Sequence, residues 1–124
     1  MRQILLVGLG GGVGAVCRYV LSLLPVNEKF PCSTLLVNLA GAVLIGFLAG
    51  CAGRIPRLAP ELRLLLQTGF CGGFTTFSTF SLETISLLQA GRYLAGGGYA
   101  ALSLAGCLAG VLLGQALARL IPLR

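Results

Sequence analysis

Four long apolar segments dominate this 124-residue sequence and leave little of the chain for any other structure. They run from about 4 to 24, from about 33 to 53, from about 62 to 90 and from about 93 to 121. A helix of about 20 apolar residues crosses the roughly 30 Å hydrocarbon core of a bilayer, where the backbone must satisfy its own hydrogen bonds. The sequence therefore predicts an all-α integral membrane protein, a single domain over residues 1–124 that crosses the lipid membrane with four transmembrane helices.

The polar residues are too few and too dispersed for most enzymes. Three glutamates are the only acidic residues and there is no histidine, so the usual groups for acid/base catalysis and for a carboxylate or imidazole metal site are missing. The nine basic residues stand singly between apolar runs, which argues against a nucleic-acid partner. Five cysteines without CxxC spacing are interpreted as small buried residues. We expect neither an enzyme nor a nucleic-acid-binding protein.

The third apolar segment contains the most unusual local sequence, GFCGGFTTFSTFS, from Gly69 to Ser81. One helix over residues 62–90 would be about 44 Å long, more than the apolar core requires. Adjacent glycines followed by threonines and serines are poor or indifferent helix formers. We therefore predict a break in the helix near Gly72 to Thr76, at mid-membrane, where the freed backbone groups line a cavity or bind an ion.

Two phenylalanines follow the predicted break. Phe77 and Phe80 are three residues apart and share a helix face, with the hydroxyls of Ser78, Thr79 and Ser81 beside them. Because phenyl edges are electropositive, an anion on this face would exchange part of its water shell for ring edges and hydroxyl donors. Core packing is the alternative for such a pair, and the hydroxyl residues at membrane depth weaken it.

Several embedded polar residues fall in the same half of the membrane when depth is counted at about 1.5 Å per residue from each span's midpoint. They are Arg18, Asn38, Glu83, Tyr99 and Ser103. One subunit thus supplies polar groups for only part of a crossing, and a second copy inserted upside down would supply the rest. Glu83 has two interpretations, a proton relay or a carboxylate held by Arg18 or by local hydrogen bonds.

The basic residues outside the spans favour a cytoplasmic N-terminus. Four spans put both termini and the loop between spans two and three on one side. That side carries Arg2, Arg54, Arg57, Arg63, Arg119 and Arg124. The opposite side carries Lys29 and Arg92, with Arg18 inside the first span nearer to it. This bias leaves open whether an antiparallel partner is the same chain or an oppositely inserted paralogue.

With these residues in view, the chain resembles the Fluc family of fluoride channels, also called CrcB proteins. The resemblance covers essentially the whole length, and the strings that carry it are GGGVGAVCRY, TLLVNLAG, TGFCGGFTTFSTFSLE and GRY. It implies an antiparallel, dual-topology homodimer with two pathways, through which fluoride leaves the bacterial cytoplasm passively across the inner membrane.

The resemblance also implies roles for individual residues. Those expected along or beside the fluoride pathway are Asn38, Phe77, Ser78, Thr79, Phe80, Glu83, Tyr99 and Ser103, with Arg18 towards a pore mouth. The backbone carbonyls of Gly72 and Thr75 are expected to hold a structural Na⁺ at the centre of the dimer.

Two rival functions come from other classes of protein. A proton-coupled exporter of the small multidrug resistance type needs an acidic residue in its first span, and the first span here has none. A non-conducting helical partner in a larger complex predicts that Phe80 and Asn38 can be replaced without any change in ion flux.

Overall fold

A computed structural model describes residues 1–24, 30–54 and 60–121, and most of these residues are helical. The helices α1 (Arg2–Ser22), α2 (Cys32–Arg54) and α6 (Tyr93–Arg119) are long and apolar enough to cross a membrane. Residues 60–89, which we call the third span, comprise α3 (Pro60–Arg63), a π-helical segment (Leu64–Cys71), α4 (Gly72–Phe74) and α5 (Phe77–Gln89). The prediction of an all-α, multi-pass membrane protein is confirmed.

The third span leaves helical conformation at two threonines. Thr75 has φ −83° and ψ 159°, and Thr76 has φ −149° and ψ 117°, both in the extended region. The Thr75 N–H still donates to the Cys71 carbonyl at 3.0 Å, but the Thr76 N–H does not form the i to i−4 hydrogen bond of a continuous helix. The peptide groups on either side of this extended pair need other partners.

Glycines bring the spans together as two parallel pairs. Gly10 and Gly14 of α1 lie against the third-span backbone, so that an added Cβ would meet the carbonyl oxygens of Leu65 and Phe70. Gly46 of α2 is in the same situation against α6. Removing the Cβ allows the backbones to approach closely, which is how helices associate where burial from water supplies no driving force.

A tight turn joins α5 to α6. Gly91 has φ +73°, its N–H donates to the Leu88 carbonyl at 3.0 Å, and the Arg92 N–H donates to the Leu87 carbonyl at 3.0 Å. These two bonds form a Schellman motif, in which glycine takes the left-handed conformation without steric cost. The turn makes α5 and α6 antiparallel and brings their side chains into contact.

Two basic residues form contacts at the end of the bundle where α1 begins and α6 ends. Arg2 forms an ion pair with Glu61 at 3.5 Å, and Arg54 donates to the Ala118 carbonyl at the end of α6. A cation near a helix C-terminus satisfies carbonyls that have no helical donor. Three residues of the predicted charge bias, Lys29, Arg57 and Arg124, lie outside the described residues.

Candidate functional site

A cavity of about 680 Å³ lies where the third span faces α2 and α6. Six of the predicted site residues line it, namely Asn38, Gly72, Thr75, Phe77, Phe80 and Ser103. The other five, Arg18, Ser78, Thr79, Glu83 and Tyr99, are not among its lining residues. The extended pair of threonines sits on the cavity wall, so the interruption of the third span and the cavity belong to one site.

Asn38 of α2 holds the extended peptide of Thr76. Its side-chain Nδ2 donates to the Thr76 carbonyl at 3.0 Å, and its Oδ1 accepts from the Thr76 N–H at 2.8 Å. One amide side chain thereby satisfies both polar groups that the missing helical turn leaves free. Asn38 was predicted as a pathway residue, and in this structure it holds the interruption in place.

The same interruption changes the partners of two carbonyl groups. In a continuous helix the Gly72 carbonyl would accept from the Thr76 N–H, which here donates to Asn38 instead. The Thr75 carbonyl would accept from the Thr79 N–H, which here donates to the Thr76 hydroxyl at 3.2 Å. Both residues line the cavity, so two backbone oxygens lose their helical donors beside it.

The N-terminus of α5 also lies at the cavity. Thr76 caps the helix by accepting from the Thr79 N–H, and its hydroxyl donates to the Thr79 hydroxyl at 3.0 Å. The first N–H groups of a helix carry partial positive charge. A 13-residue helix that begins at the cavity wall therefore gives that wall a positive potential without a charged side chain.

The two phenylalanines predicted to share a helix face lie together. The ring centroids of Phe77 and Phe80 are 5.4 Å apart with the planes inclined by 47°, and Phe80 lies 5.2 Å from the Tyr99 ring. Phe77 is 79% exposed, whereas Phe80 is half-buried against a core of Leu35, Leu87 and Tyr99. Phe80 therefore packs against the core and also lines the cavity.

Glu83 is held by two hydroxyls and not by Arg18. Thr34 of α2 donates to its Oε1 at 2.8 Å, and Tyr99 of α6 donates to its Oε2 at 2.7 Å. A carboxylate that accepts from hydroxyls on two other helices ties α5 to both. Of the interpretations from the sequence, local hydrogen bonding describes this arrangement.

Arg18 lies at the other side of the interruption. Its Nε donates to the Gly73 carbonyl at 3.2 Å, at the end of α4, and the side chain is half-buried. A cation is favourable at a helix C-terminus, where carbonyl groups lack helical donors. Arg18 therefore braces the third span from α1, as Asn38 does from α2.

The comparisons with known proteins show the family of this chain. The family described as "CrcB-like protein, Camphor Resistance (CrcB)" matches residues 5–115. The chain belongs to the CrcB family. The match contains every predicted site residue, from Arg18 to Ser103.

Individual relatives resemble this CrcB chain over most of its length. A Chlorobaculum tepidum protein named fluoride-specific ion channel FluC is 50% identical over 122 residues, 97% of this chain and 97% of its own. Proteins of the same name from Methanococcus maripaludis and Pyrococcus furiosus are 47% and 53% identical, over 93% and 76% of this chain and 94% and 77% of their own. The names describe ion channels and not enzymes, in agreement with the expectation from composition.

Sequence reasoning about this CrcB chain missed some residues of the site. Gln67, Thr68, Cys71 and Cys107 line the cavity, and Thr34 completes the hydrogen bonding of Glu83. Gln67 and Thr68 are polar residues in an apolar segment, and Cys107 follows Ser103 by four residues on the same helix face. These two signals in the sequence could have identified Gln67, Thr68 and Cys107, but not Cys71 or Thr34.

Proposed function

We propose that this chain forms a fluoride-selective channel that lets fluoride leave the cell passively across the bacterial inner membrane. The observation that carries the proposal is the cavity beside the interrupted third span, lined by Asn38, Phe77, Phe80 and Ser103. The near full-length similarity to proteins named fluoride-specific ion channel FluC supports fluoride as the ion.

The chemistry of the cavity wall suits a small, strongly hydrated anion. The N-terminus of α5 supplies positive potential, and the edges of Phe77 and Phe80 add electropositive C–H groups. Thr76 lines the cavity and its hydroxyl donates to the Thr79 hydroxyl at 3.0 Å, which leaves the proton of Thr79 available for an ion released from part of its water shell. Arg18 donates to the Gly73 carbonyl and is not among the residues that line the cavity, so it does not trap the anion there on a full positive charge.

An antiparallel homodimer with two pathways is the assembly that we propose. Phe77 is 79% exposed on a single chain and Ser78 is also exposed, although both belong to the most polar stretch of the third span. Hydroxyl groups are costly against lipid, so a second copy that covers this face would complete the wall. The partner in this arrangement is the chain itself, or an oppositely inserted paralogue as the charge bias suggests.

The residues present fit a structural Na⁺ held between two such copies. The Gly72 and Thr75 carbonyls lose their helical donors beside the cavity, and carbonyl oxygens are suitable ligands for a hard cation. Two oxygens from one chain are too few for such an ion, and an antiparallel copy would add two more. The ion would supply fixed positive charge between the subunits. If it does, dimers prepared in Na⁺ are expected to unfold at a higher temperature than dimers prepared in N-methylglucamine.

Ion efflux from liposomes that contain the purified protein alone tests the proposal. We expect fast fluoride efflux and little chloride efflux from the parent, with fluoride efflux at least about tenfold slower for Phe80→Ile because the ring edges are lost. The matched control is Phe47→Ile, which changes a half-buried phenylalanine outside the cavity lining. Equal fluoride efflux from the two variants would contradict the assignment of the pathway to this cavity.

The same experiment separates the rival assemblies and functions. No efflux from a well-folded parent, followed by efflux after reconstitution with an oppositely inserted paralogue, would replace the homodimer by a heterodimer. No efflux in either case would indicate a non-conducting role. Terminal tags accessible on both sides of the membrane when the chain is expressed alone would support dual topology.

A further inference from the structure

One face of α6 continues the cavity wall beyond the residues predicted from the sequence. Ser103, Cys107 and Val111 follow one another at intervals of four residues, and all three line the cavity. Residues four apart in a helix lie above one another on one face. The thiol of Cys107 therefore lies one turn from the Ser103 hydroxyl, on the wall that also includes Phe77 and Phe80.

Ser103 indicates that this part of the wall is prepared for a ligand. The residue is only 6% exposed, and its Oγ has no hydrogen-bond partner within the part of the chain that the structure describes. By contrast, the hydroxyls of Thr84 and Ser86 each donate at 2.8 Å to a carbonyl four residues earlier, the usual solution within an apolar helix. A buried hydroxyl without a partner is costly unless something that enters the cavity contacts it.

Two of the five cysteines line the cavity, and they differ in accessibility. Cys107 is half-buried, whereas Cys71 is 2% exposed. Cys17, Cys32 and Cys51 are not among the residues that line it. A thiol on the wall of a water-filled path reacts with small reagents, while one enclosed in packed side chains is protected.

We propose that the Cys107 thiol is a binding site for soft, thiophilic cations such as organomercurials, and that a cation bound there obstructs the cavity. The obstruction of flux rests on the proposed channel function. The site itself depends only on the cavity, the unpartnered Ser103 hydroxyl and the half-buried Cys107 on the same wall. Soft metals select thiolate sulfur over the oxygen groups that form the rest of the polar wall.

The chemistry with methylmercury hydroxide, the probe that we choose, involves no oxidation or reduction. A sulfur–mercury bond forms at Cys107, the mercury–oxygen bond breaks, and the thiol proton leaves with the hydroxide as water. Excess small thiol in solution reverses the exchange. The bound group projects into the cavity one turn from Ser103, where it displaces water from the polar wall.

The experiment combines flux with mass spectrometry on the same liposomes. We expect methylmercury to label Cys107 and to slow fluoride efflux of the parent by at least about tenfold, with recovery on addition of excess thiol. Cys71→Ser should keep this inhibition, and so should the triple variant Cys17→Ser, Cys32→Ser, Cys51→Ser. In Cys107→Ser and Cys107→Ala, methylmercury should change the fluoride efflux rate by less than about twofold, relative to the rate of the same variant before the reagent is added.

The outcomes distinguish the site from the channel. If the folded parent conducts no fluoride, either alone or with an oppositely inserted paralogue, the channel proposal fails, and the label at Cys107 still decides the site. A conducting parent whose Cys107 stays unlabelled, or whose inhibition survives Cys107→Ser and Cys107→Ala, would overturn the proposal. Complete labelling of Cys107 with unchanged fluoride efflux would place the thiol away from the path and would also overturn it.

Discussion

Replacing Asn38 by leucine tests whether the amide maintains the interruption of the third span. Its two hydrogen bonds, at 3.0 Å and 2.8 Å, satisfy the carbonyl and the N–H of Thr76. Leucine has nearly the same shape and satisfies neither group. Leaving a buried polar group without its partner costs about 1 to 3 kcal/mol. Because Asn38 is half-buried, we take about 1 to 2 kcal/mol for each group and expect Asn38→Leu to lower the free energy of unfolding by about 2 to 4 kcal/mol.

The matched control changes a polar residue of the same cavity whose hydroxyl has no hydrogen bond within the described residues. Thr68→Val removes that hydroxyl with little change of shape, and we expect it to alter the free energy of unfolding by less than about 0.5 kcal/mol. Denaturant titration of both variants in the same detergent micelles measures the difference. If Asn38→Leu and Thr68→Val agreed within about 0.5 kcal/mol, the amide would not be holding Thr76 and the reasoning would be refuted.

Three further predictions concern contacts between the spans. Gly14→Val places side-chain atoms against the backbone of the third span and should destabilise the protein by more than about 2 kcal/mol. Gly12 has open space around it, so Gly12→Val should destabilise the protein by less than about 1 kcal/mol. Thermal unfolding of the two variants in detergent measures the difference. Tyr99→Phe removes one of the two hydroxyl donors to Glu83 and should cost about 1 to 2 kcal/mol, a loss that should shrink in a Glu83→Gln background if the bond is the cause. Gly91→Ala forces a left-handed conformation on a residue with a Cβ and should cost about 1 kcal/mol, and an unchanged midpoint of unfolding would argue against the turn geometry.

The sequence by itself determined that this protein belongs in a membrane, and it indicated where the third span leaves helical conformation. Four apolar segments, short connections and scarce charge predict membrane-spanning helices, because unpaired backbone groups are too costly in hydrocarbon. Within the third segment, two glycines and two threonines indicated where helical conformation would be weakest, and the structure has its extended residues at Thr75 and Thr76. These properties depend on residues close together in the chain, so local physics is sufficient to predict them.

Only the tertiary structure decided which residues are partners. Thr34 and Glu83 are 49 residues apart, Asn38 and Thr76 are 38 apart, and Arg18 and Gly73 are 55 apart. Such pairs depend on which helices are neighbours and on the rotation of each helix about its axis. Glycine spacing shows that a helix packs closely but not against which neighbour. The estimated depths in the membrane suggested that Arg18 and Glu83 could pair. In the structure Glu83 instead accepts from two hydroxyls and Arg18 donates to a carbonyl. Depth could not predict this, because it does not say in which direction around the helix a side chain points.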